Sequence, residues 1–194
     1  MPPDLCFRFA AASDAPAIAA LHADSWRRHY RGAYADAFLD GDVLADRISV
    51  WTARLQQPDR VRCTIVAEAG GLVGFANTFI GEDPRWGALL DNLHVAAAQK
   101  RLGIGSRLMA ITAEAVIAAG AESPGMYLWV LEQNIGAQAF YRALGGEPAG
   151  RTSVPPPGGV AGRLHGTPMK LRYAWPRVDV LLQHRARGRG ASGA

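Results

Sequence analysis

Lys100-Arg101-Leu102-Gly103-Ile104-Gly105-Ser106-Arg107 is the stretch of sequence that decides the fold. It lies between an apolar, strand-like run, Leu89 to Val95, and an amphipathic run with helical spacing, Ser106 to Ala119. Glycines at a strand-to-helix turn let backbone N–H groups point outward at one centre, and the positive end of the helix dipole adds to them. The turn therefore predicts a site for an anion such as a pyrophosphate.

A second segment sharpens this prediction. The turn is neither the G-x-G-x-x-G dinucleotide pattern nor the P-loop, since no Lys-Ser or Lys-Thr follows Gly105. About 30 residues further on lies Asn134-Ile135-Gly136-Ala137-Gln138-Ala139-Phe140-Tyr141-Arg142-Ala143-Leu144-Gly145-Gly146. The two segments, in this order, resemble the two motifs of the GNAT superfamily of acyl-CoA N-acyltransferases. The resemblance covers roughly residues 7 to 175.

The resemblance implies a fold, an activity and a co-substrate. The fold would be a single α/β domain with a mixed central sheet, splayed strands and flanking helices. The activity would be transfer of the acetyl group of acetyl-CoA to a primary amine, by direct attack and without a metal or a covalent enzyme intermediate. Hydrophobic periodicity independently predicts the order β-α-α-β-β-β-α-β-α-β-β, with a loop from Gly81 to Gly87.

Composition fits one globular domain, which we expect over residues 5–175, with a C-terminal extension over 176–194. The net charge is +4, and residues 185–189 carry three arginines, so the rest is nearly neutral. That balance gives no broad nucleic-acid footprint, although a basic tail from about residue 184, expected to be disordered, could touch RNA. No apolar run is long enough for a membrane span. Two isolated cysteines and the lack of a secretory signal favour the cytoplasm.

The resemblance also implies where the donor binds. Backbone N–H groups of the glycine turn would hold the pyrophosphate, and the strand before it would bind the acetyl carbonyl and the pantetheine arm. Lys100 departs from the family pattern, which has Arg or Gln there, but it still offers a compact positive charge. Asn134 would contact the pantetheine or act as a helix N-cap. The donor-binding residues are thus Leu93, His94, Val95, Lys100, Arg101, Leu102, Gly103, Ile104, Gly105, Ser106 and Asn134.

The same comparison suggests catalytic groups. Tyr141 would protonate the departing thiolate as a general acid. Asp91 is the first choice for the general base, and His94 is the alternative because its ordinary pKa suits the task. Strict strand alternation would place Leu89 and Asp91 on the same face as Leu93, with His94 on the other face.

The first helix resembles the segment that walls the acceptor site in small-molecule enzymes of this family. Trp26, Tyr30 and Tyr34 would line an apolar pocket with hydroxyl groups, and three neighbouring arginines suggest an acceptor with a carboxylate. Two other functions stay open: a non-catalytic acyl-CoA-binding sensor or partner module, and an acetyltransferase acting on a protein amine. A homodimer is also compatible with the resemblance. The arginines in question are Arg27, Arg28 and Arg31.

Overall fold

The computed structural model describes residues 4–57, 61–120 and 123–184. Seven strands and five α-helices make up most of these residues. The strands are β1 Cys6–Phe9, β2 Arg62–Glu68, β3 Leu72–Asp83, β4 Gly87–Val95, β5 Met126–Leu131, β6 Glu147–Ser153 and β7 Met169–Trp175. The helices are α1 Ala15–His29, α2 Asp36–Asp40, α3 Val43–Gln56, α4 Ile104–Ala118 and α5 Ile135–Ala143.

All seven strands form one mixed sheet in the order β1-β2-β3-β4-β5-β7-β6. The first four strands are antiparallel neighbours, and β5, β7 and β6 form a second antiparallel group. The two groups are joined where β4 pairs with β5 in parallel, and this pairing covers only Ala88–Leu90 against Met126–Leu128. Beyond these residues the two strands part and leave an opening in the sheet. The predicted α/β fold with splayed central strands is confirmed.

Helices cover both faces of the sheet. On one face, α4 packs in a large apolar core with Leu90, Leu128 and Tyr173. On the other face, α1 and α3 pack in a smaller core in which Trp51 and Phe75 are buried. Helix α1 buries Ile18, Ala19, His22, Ala23 and Trp26, which recur every three or four residues, and Pro16 in its first turn suits a helix start.

A bulge in β4 changes the predicted faces of that strand. Asn92 lies opposite Asn77 and Leu90 lies opposite Thr78, so Asp91 is an extra residue without a partner in β3. Strict alternation is therefore wrong here, because one inserted residue moves everything after it to the other face. Leu90, Leu93 and Val95 pack in the α4 core, whereas Leu89, Asn92 and His94 face α1 and α3.

Three further features differ from the sequence-based expectation. The predicted loop at Gly81–Gly87 is shorter, because β3 continues to Asp83. The short helix α2 was not predicted. Beyond Trp175 the chain forms a 3-10 helix, Val178–His184, whose Val178 and Leu181 are buried in the α4 core. The basic tail predicted from about residue 184 falls largely on residues 185–194, which lie outside the described residues.

Within residues 4–57, 61–120 and 123–184, no helix is both long enough and apolar enough to cross a bilayer.

Candidate active site

The opening between β4 and β5 is a cleft with a volume of about 630 Å³. Its floor is formed by the diverging strands, and its two ends by helix termini. The glycine turn and the start of α4 form one end, whereas Tyr30 and Asp91 lie toward the other. Both sequence motifs therefore contribute to one cavity. Most of the predicted site residues line it, namely Tyr30, Asp91, Leu93, His94, Val95, Lys100, Arg101, Gly103, Ile104, Gly105, Ser106, Asn134 and Tyr141.

The glycine turn presents free backbone donors to the cleft. Gly103 is the N-cap of α4 and has a left-handed φ of 80°, which favours glycine. The N–H groups of Ile104, Gly105 and Ser106 belong to the first helical turn and so have no acceptor within the helix. A Cβ atom on Gly105 would lie 3.2 Å from the ring of Phe140 in α5. The second glycine thus lets the two motif helices approach each other beside these donors.

The three residues before Gly103 differ in their contacts, backbone conformation and exposure. Lys100 donates a hydrogen bond of 2.8 Å to Nε2 of His29, the last residue of α1. Arg101 has a left-handed φ of 67° without being a glycine, which directs the backbone into the turn. Leu102 is 61% exposed and does not line the cleft, so it differs from the other predicted residues of this turn.

The second motif forms α5 and places its tyrosine in the wall of the cleft. The Asn134 side chain accepts a hydrogen bond of 3.1 Å from the N–H of Ala137, which makes it the N-cap of α5 while it also lines the cleft. Tyr141 is 8% exposed. Burial raises the pKa of its phenol, with a smaller contribution from Tyr30. Tyr141 therefore stays protonated through the neutral range and is available as a proton donor.

The bulge in β4 places Asp91 against α3. Arg54 contacts the Asp91 carboxylate at 2.8 Å and the side-chain oxygen of Asn92 at 3.2 Å. The second oxygen of Asp91 has no hydrogen-bond donor within the described part of the chain. This oxygen can accept a proton or bind an ammonium group in the cleft. The sequence pattern gave no sign of the ion pair, since its two residues lie 37 positions apart.

His94 belongs to a polar cluster that borders the cleft. Its Nδ1 atom shares a hydrogen bond of 2.7 Å with the hydroxyl of Ser25, and its ring lies 4.6 Å from that of His22. Trp51 donates to Nδ1 of His22, so the proton of His22 is on Nε2. Burial, with smaller contributions from His29 and Lys100, lowers the pKa of His94 to about 3. His94 is thus neutral at physiological pH and a much weaker base than its ordinary pKa suggested.

The predicted acceptor wall is only partly present. Tyr30 lines the cleft, and burial raises the pKa of its hydroxyl to about 12. Trp26 and Tyr34 do not line the cleft; each is 7% exposed and packs with Phe38 and Leu131 in a separate core. Their predicted place is therefore corrected. The helical pattern could not distinguish these rings, because Trp26, Tyr30 and Tyr34 are spaced four residues apart and contact one another.

Sequence reasoning missed a cationic face beside the acceptor end. Lys170 and Arg172 are opposite Leu131 and Trp129 in the β5–β7 pairing, and both of these β5 residues line the cleft. Arg172 lies over the ring of Trp129 at 4.6 Å, and the Lys170 ammonium lies 4.8 Å from the same ring. A signal was available, because two cations at alternate positions of one strand share a face. Their proximity to the cleft depends on β7 pairing with β5, which no local pattern reveals.

The family assignment agrees with this geometry. The profile of the acetyltransferase (GNAT) family matches residues 16–145, about two thirds of the chain. The chain therefore belongs to the acetyltransferase (GNAT) family, and it is an acyl-CoA N-acetyltransferase by class. Acetyl-CoA is the co-substrate of this class of enzyme. None of the curated proteins matches the chain in sequence.

Solved structures support the fold. The Salmonella typhimurium protein yncA, solved with its cofactor acetyl-CoA, is 18% identical, with a TM-score of 0.61 over 89% of this chain and 93% of that one. Nourseothricin acetyltransferase is 21% identical, with a TM-score of 0.60 over 88% and 96% of the two chains. NAA60 of Arabidopsis thaliana, in complex with a bisubstrate analogue, is 17% identical, with a TM-score of 0.60 over 89% and 97%. At these identities, the likeness concerns the fold.

Proposed function

We propose that the protein transfers the acetyl group of acetyl-CoA to the primary amine of a small molecule by direct attack. The observation that carries the proposal is that both motifs meet in one cleft. The free N–H groups at the start of α4, the Tyr141 hydroxyl and the Asp91 carboxylate all border this cavity. A donor bound at the α4 end and an amine bound at the Asp91 end would meet between the splayed strands.

The donor is held mainly by backbone in this proposal. The first turn of α4 binds the pyrophosphate through N–H groups and the helix dipole, and Lys100 adds a positive charge. Beyond Leu90, β4 has no pairing with β5, so its backbone groups on that side are available. Those of Leu93 to Val95 would bind the pantetheine arm and the acetyl oxygen. Such donors stabilise the negative charge that develops on the carbonyl oxygen during attack.

Proton transfer completes the reaction. The amine nitrogen attacks the thioester carbon, the C–S bond breaks, and Tyr141 gives its proton to the departing thiolate. Asp91, directly or through water, takes the proton that the amine loses, which then returns to the tyrosine by way of solvent. Asp91 is preferred to His94 as the base, because burial keeps the pKa of His94 low at about 3.

Kinetics with an amine panel tests the proposal through release of free coenzyme A. Direct attack predicts that both substrates must bind before any product leaves. Tyr141→Phe is expected to lower kcat about 10- to 100-fold, since coenzyme A thiolate is a good leaving group and needs limited help. Asp91→Asn is expected to lower kcat/KM for the amine by a similar factor.

Matched controls are available in the chain. Tyr173→Phe removes another buried tyrosine hydroxyl, and Asp179→Asn removes an ion-paired carboxylate on the surface. Neither residue lines the cleft, and neither change is expected to alter the rate. An acetylated enzyme that accumulates without amine would refute direct attack. Acetyl-CoA binding without turnover of any amine would favour a non-catalytic acyl-CoA-binding module, and turnover of peptides alone would favour a protein acceptor.

The cellular setting follows as a separate proposal. Cys6 and Cys63 are both free thiols, Cys6 exposed and Cys63 buried. Burial raises the pKa of the Cys63 thiol to about 11, so it stays unreactive. Free thiols suit a reducing compartment, and we therefore place the enzyme in the cytoplasm. The homodimer remains a prediction, which the sedimentation behaviour of the purified protein tests.

A further inference from the structure

Two cations beside the acceptor end of the cleft have no acidic partner. Lys170 and Arg172 make no ion pair and no hydrogen bond within residues 4–57, 61–120 and 123–184, and the buried Nε atom of Arg172 lacks an acceptor there. Several other basic groups of the domain are paired, among them Arg54 with Asp91 and Arg151 with Glu132. Positive groups that are partly buried and unpaired are costly unless something else offsets their charge.

The surroundings of these cations are aromatic rather than acidic. Arg172 lies between two indole rings, 4.6 Å from Trp129 and 4.8 Å from Trp86. Lys170 lies 4.8 Å from the Trp129 ring, and burial lowers the pKa of its ammonium. Cation–π contacts hold both side chains in place but leave their N–H groups free. The result is a fixed, positively charged surface with a flat apolar part.

This surface is continuous with the acceptor end of the cleft. Trp129 and Leu131 line the cleft, and their cross-strand partners on the same face of the sheet are Arg172 and Lys170. Asp91 is close enough for its charge to act on Lys170. One small molecule could therefore place a negative group against the cations of β7 and a positive group against Asp91 of β4.

The arginines suggested by the sequence do not serve this purpose. Arg28 pairs with Asp24, and Arg31 pairs with Asp36 and Asp40. Arg27 donates to the backbone oxygen of Leu39. Their N–H groups are engaged within the protein itself, whereas those of the β7 cations are not.

We propose that the acceptor is an amine that carries a carboxylate, that is, an amino acid, and that Lys170 and Arg172 bind this carboxylate. This proposal rests on the proposed function, because it assigns the acceptor of the same cleft. The carboxylate accepts hydrogen bonds from the two cations, the body of the amino acid lies against Trp129, and the amine is directed toward Asp91. Both cations offset the negative charge of such a carboxylate, and the planar guanidinium of Arg172 also orients it.

The test compares a panel of L-amino acids with their C-terminal amides, which keep the shape but lose the negative charge. The wild-type enzyme is expected to prefer the acid over the amide by about 10- to 100-fold in kcat/KM, the range of a charge-assisted contact. Lys170→Met and Arg172→Met are expected to bring that ratio toward one, with the KM of acetyl-CoA unchanged. Arg177→Met, an exposed cation outside the cleft, is expected to leave the ratio unaltered.

The failure of this inference differs from the failure of the proposed function. Equal rates for acids and amides, or equal losses for both in the two variants, would overturn the amino-acid assignment and leave the acetyltransferase proposal standing. If no amine is acetylated, binding of the same acids and amides to the coenzyme A complex, followed by NMR, decides the inference alone. Equal binding of acid and amide in that experiment overturns it. A ratio that stays constant while either variant changes the oligomeric state assigns the surface to an interface and also overturns it.

Thermal unfolding accompanies each variant. Lys170→Gln serves as a second, polar replacement should Lys170→Met fold poorly. It removes the charge in the same way and is expected to give the same loss of preference for the acid.

Discussion

The ammonium nitrogen of Lys100 lies 2.8 Å from Nε2 of His29, so the glycine turn and the end of α1 are in contact at the cleft. Lysine can only donate, so Nε2 of His29 is unprotonated in this contact. Burial and the neighbouring Lys100 charge both lower the pKa of His29. The contact thus holds Lys100 beside the first turn of α4, where we propose that the pyrophosphate binds.

Replacing Lys100 is expected to weaken only the contact with the pyrophosphate. Lys100→Met should raise the KM of acetyl-CoA about 10-fold, at the lower end of what a charged hydrogen bond contributes. Acetylpantetheine lacks the pyrophosphate, so its KM should not change. Steady-state kinetics with both donors measures the difference. An equal rise for the two donors would mean that the variant disturbs the cleft as a whole.

Alanine substitutions at the two glycines of the turn should have different effects, the first on stability and the second on acetyl-CoA binding. Gly103→Ala puts a side chain on a left-handed residue, which costs about 1–2 kcal/mol, although nothing lies within 4 Å of the new Cβ. Gly105→Ala keeps helical backbone, but its methyl group would lie 3.2 Å from Phe140, beside the free N–H groups. Urea unfolding should detect the first change, and a raised acetyl-CoA Kd should detect the second.

Gly162→Ala, in the loop before β7 and outside the cleft, is the control for both glycine variants. Its Cβ has open space within 4 Å, and no left-handed φ is involved. We expect it to change neither the free energy of unfolding by more than about 1 kcal/mol nor the Kd. A normal Kd for Gly105→Ala would contradict the assigned path of the donor.

The buried histidines should make stability depend on pH. The pKa of His94 is about 3 in the folded chain, against an ordinary value of 6.5, and burial also lowers that of His22. The unfolded chain therefore binds more protons below pH 6.5, and stability falls as pH drops from 6.5 toward 3. The loss is about 1.4 kcal/mol per pH unit for each histidine that stays neutral.

Urea unfolding between pH 7.5 and 5 measures this slope. His94→Gln should flatten the profile, because one of the imidazoles with a lowered pKa is gone, whereas His165→Gln replaces an exposed histidine and should not. A profile with the same slope in the His94 variant would show that this imidazole takes up a proton without cost.

Trp26 and Tyr30 should separate stability from acceptor binding. Trp26→Ala removes a buried ring of the core that it shares with Phe38 and Leu131, and it is expected to lower the free energy of unfolding by about 3–5 kcal/mol. Tyr30→Phe keeps the ring and removes a hydroxyl at the cleft, so it should raise the KM of the amine while unfolding changes by less than about 1 kcal/mol. Unfolding and acceptor kinetics on both variants check the pair. An unchanged amine KM for Tyr30→Phe would place the acceptor elsewhere.

The sequence predicted those parts of the site that are formed by residues adjacent in the chain. The turn at Gly103 and the α5 segment from Asn134 are determined by a few adjacent residues, and both lie in the cleft as the sequence suggested. The Asp91 bulge was out of reach, because one extra residue in a strand leaves no composition signal. The Arg54 ion pair and the β5–β7 pairing depend on residues far apart in sequence, which only tertiary packing brings together.

In helix α1, too, the sequence pattern predicted burial but not the contacts of individual side chains. Its apolar spacing predicted a buried stripe, but not which of the rings at Trp26, Tyr30 and Tyr34 would face the cleft. Each ring lies within about 5 Å of the next, so small rotations decide which one is exposed. The packing of α2 and the loop near Leu164 against Tyr34 makes that choice.

The position of β7 between β5 and β6 also determines when the sheet can form in a newly synthesised chain. When Leu131 emerges from the ribosome, the strand that will cover the outer edge of β5 is still about 40 residues from emerging, about 2–8 s at usual rates of elongation. During that interval β5 has an open edge, and β6 has no strand to pair with when it emerges. A nascent chain that already contains both motifs thus still lacks the strand that pairs with the outer edge of β5.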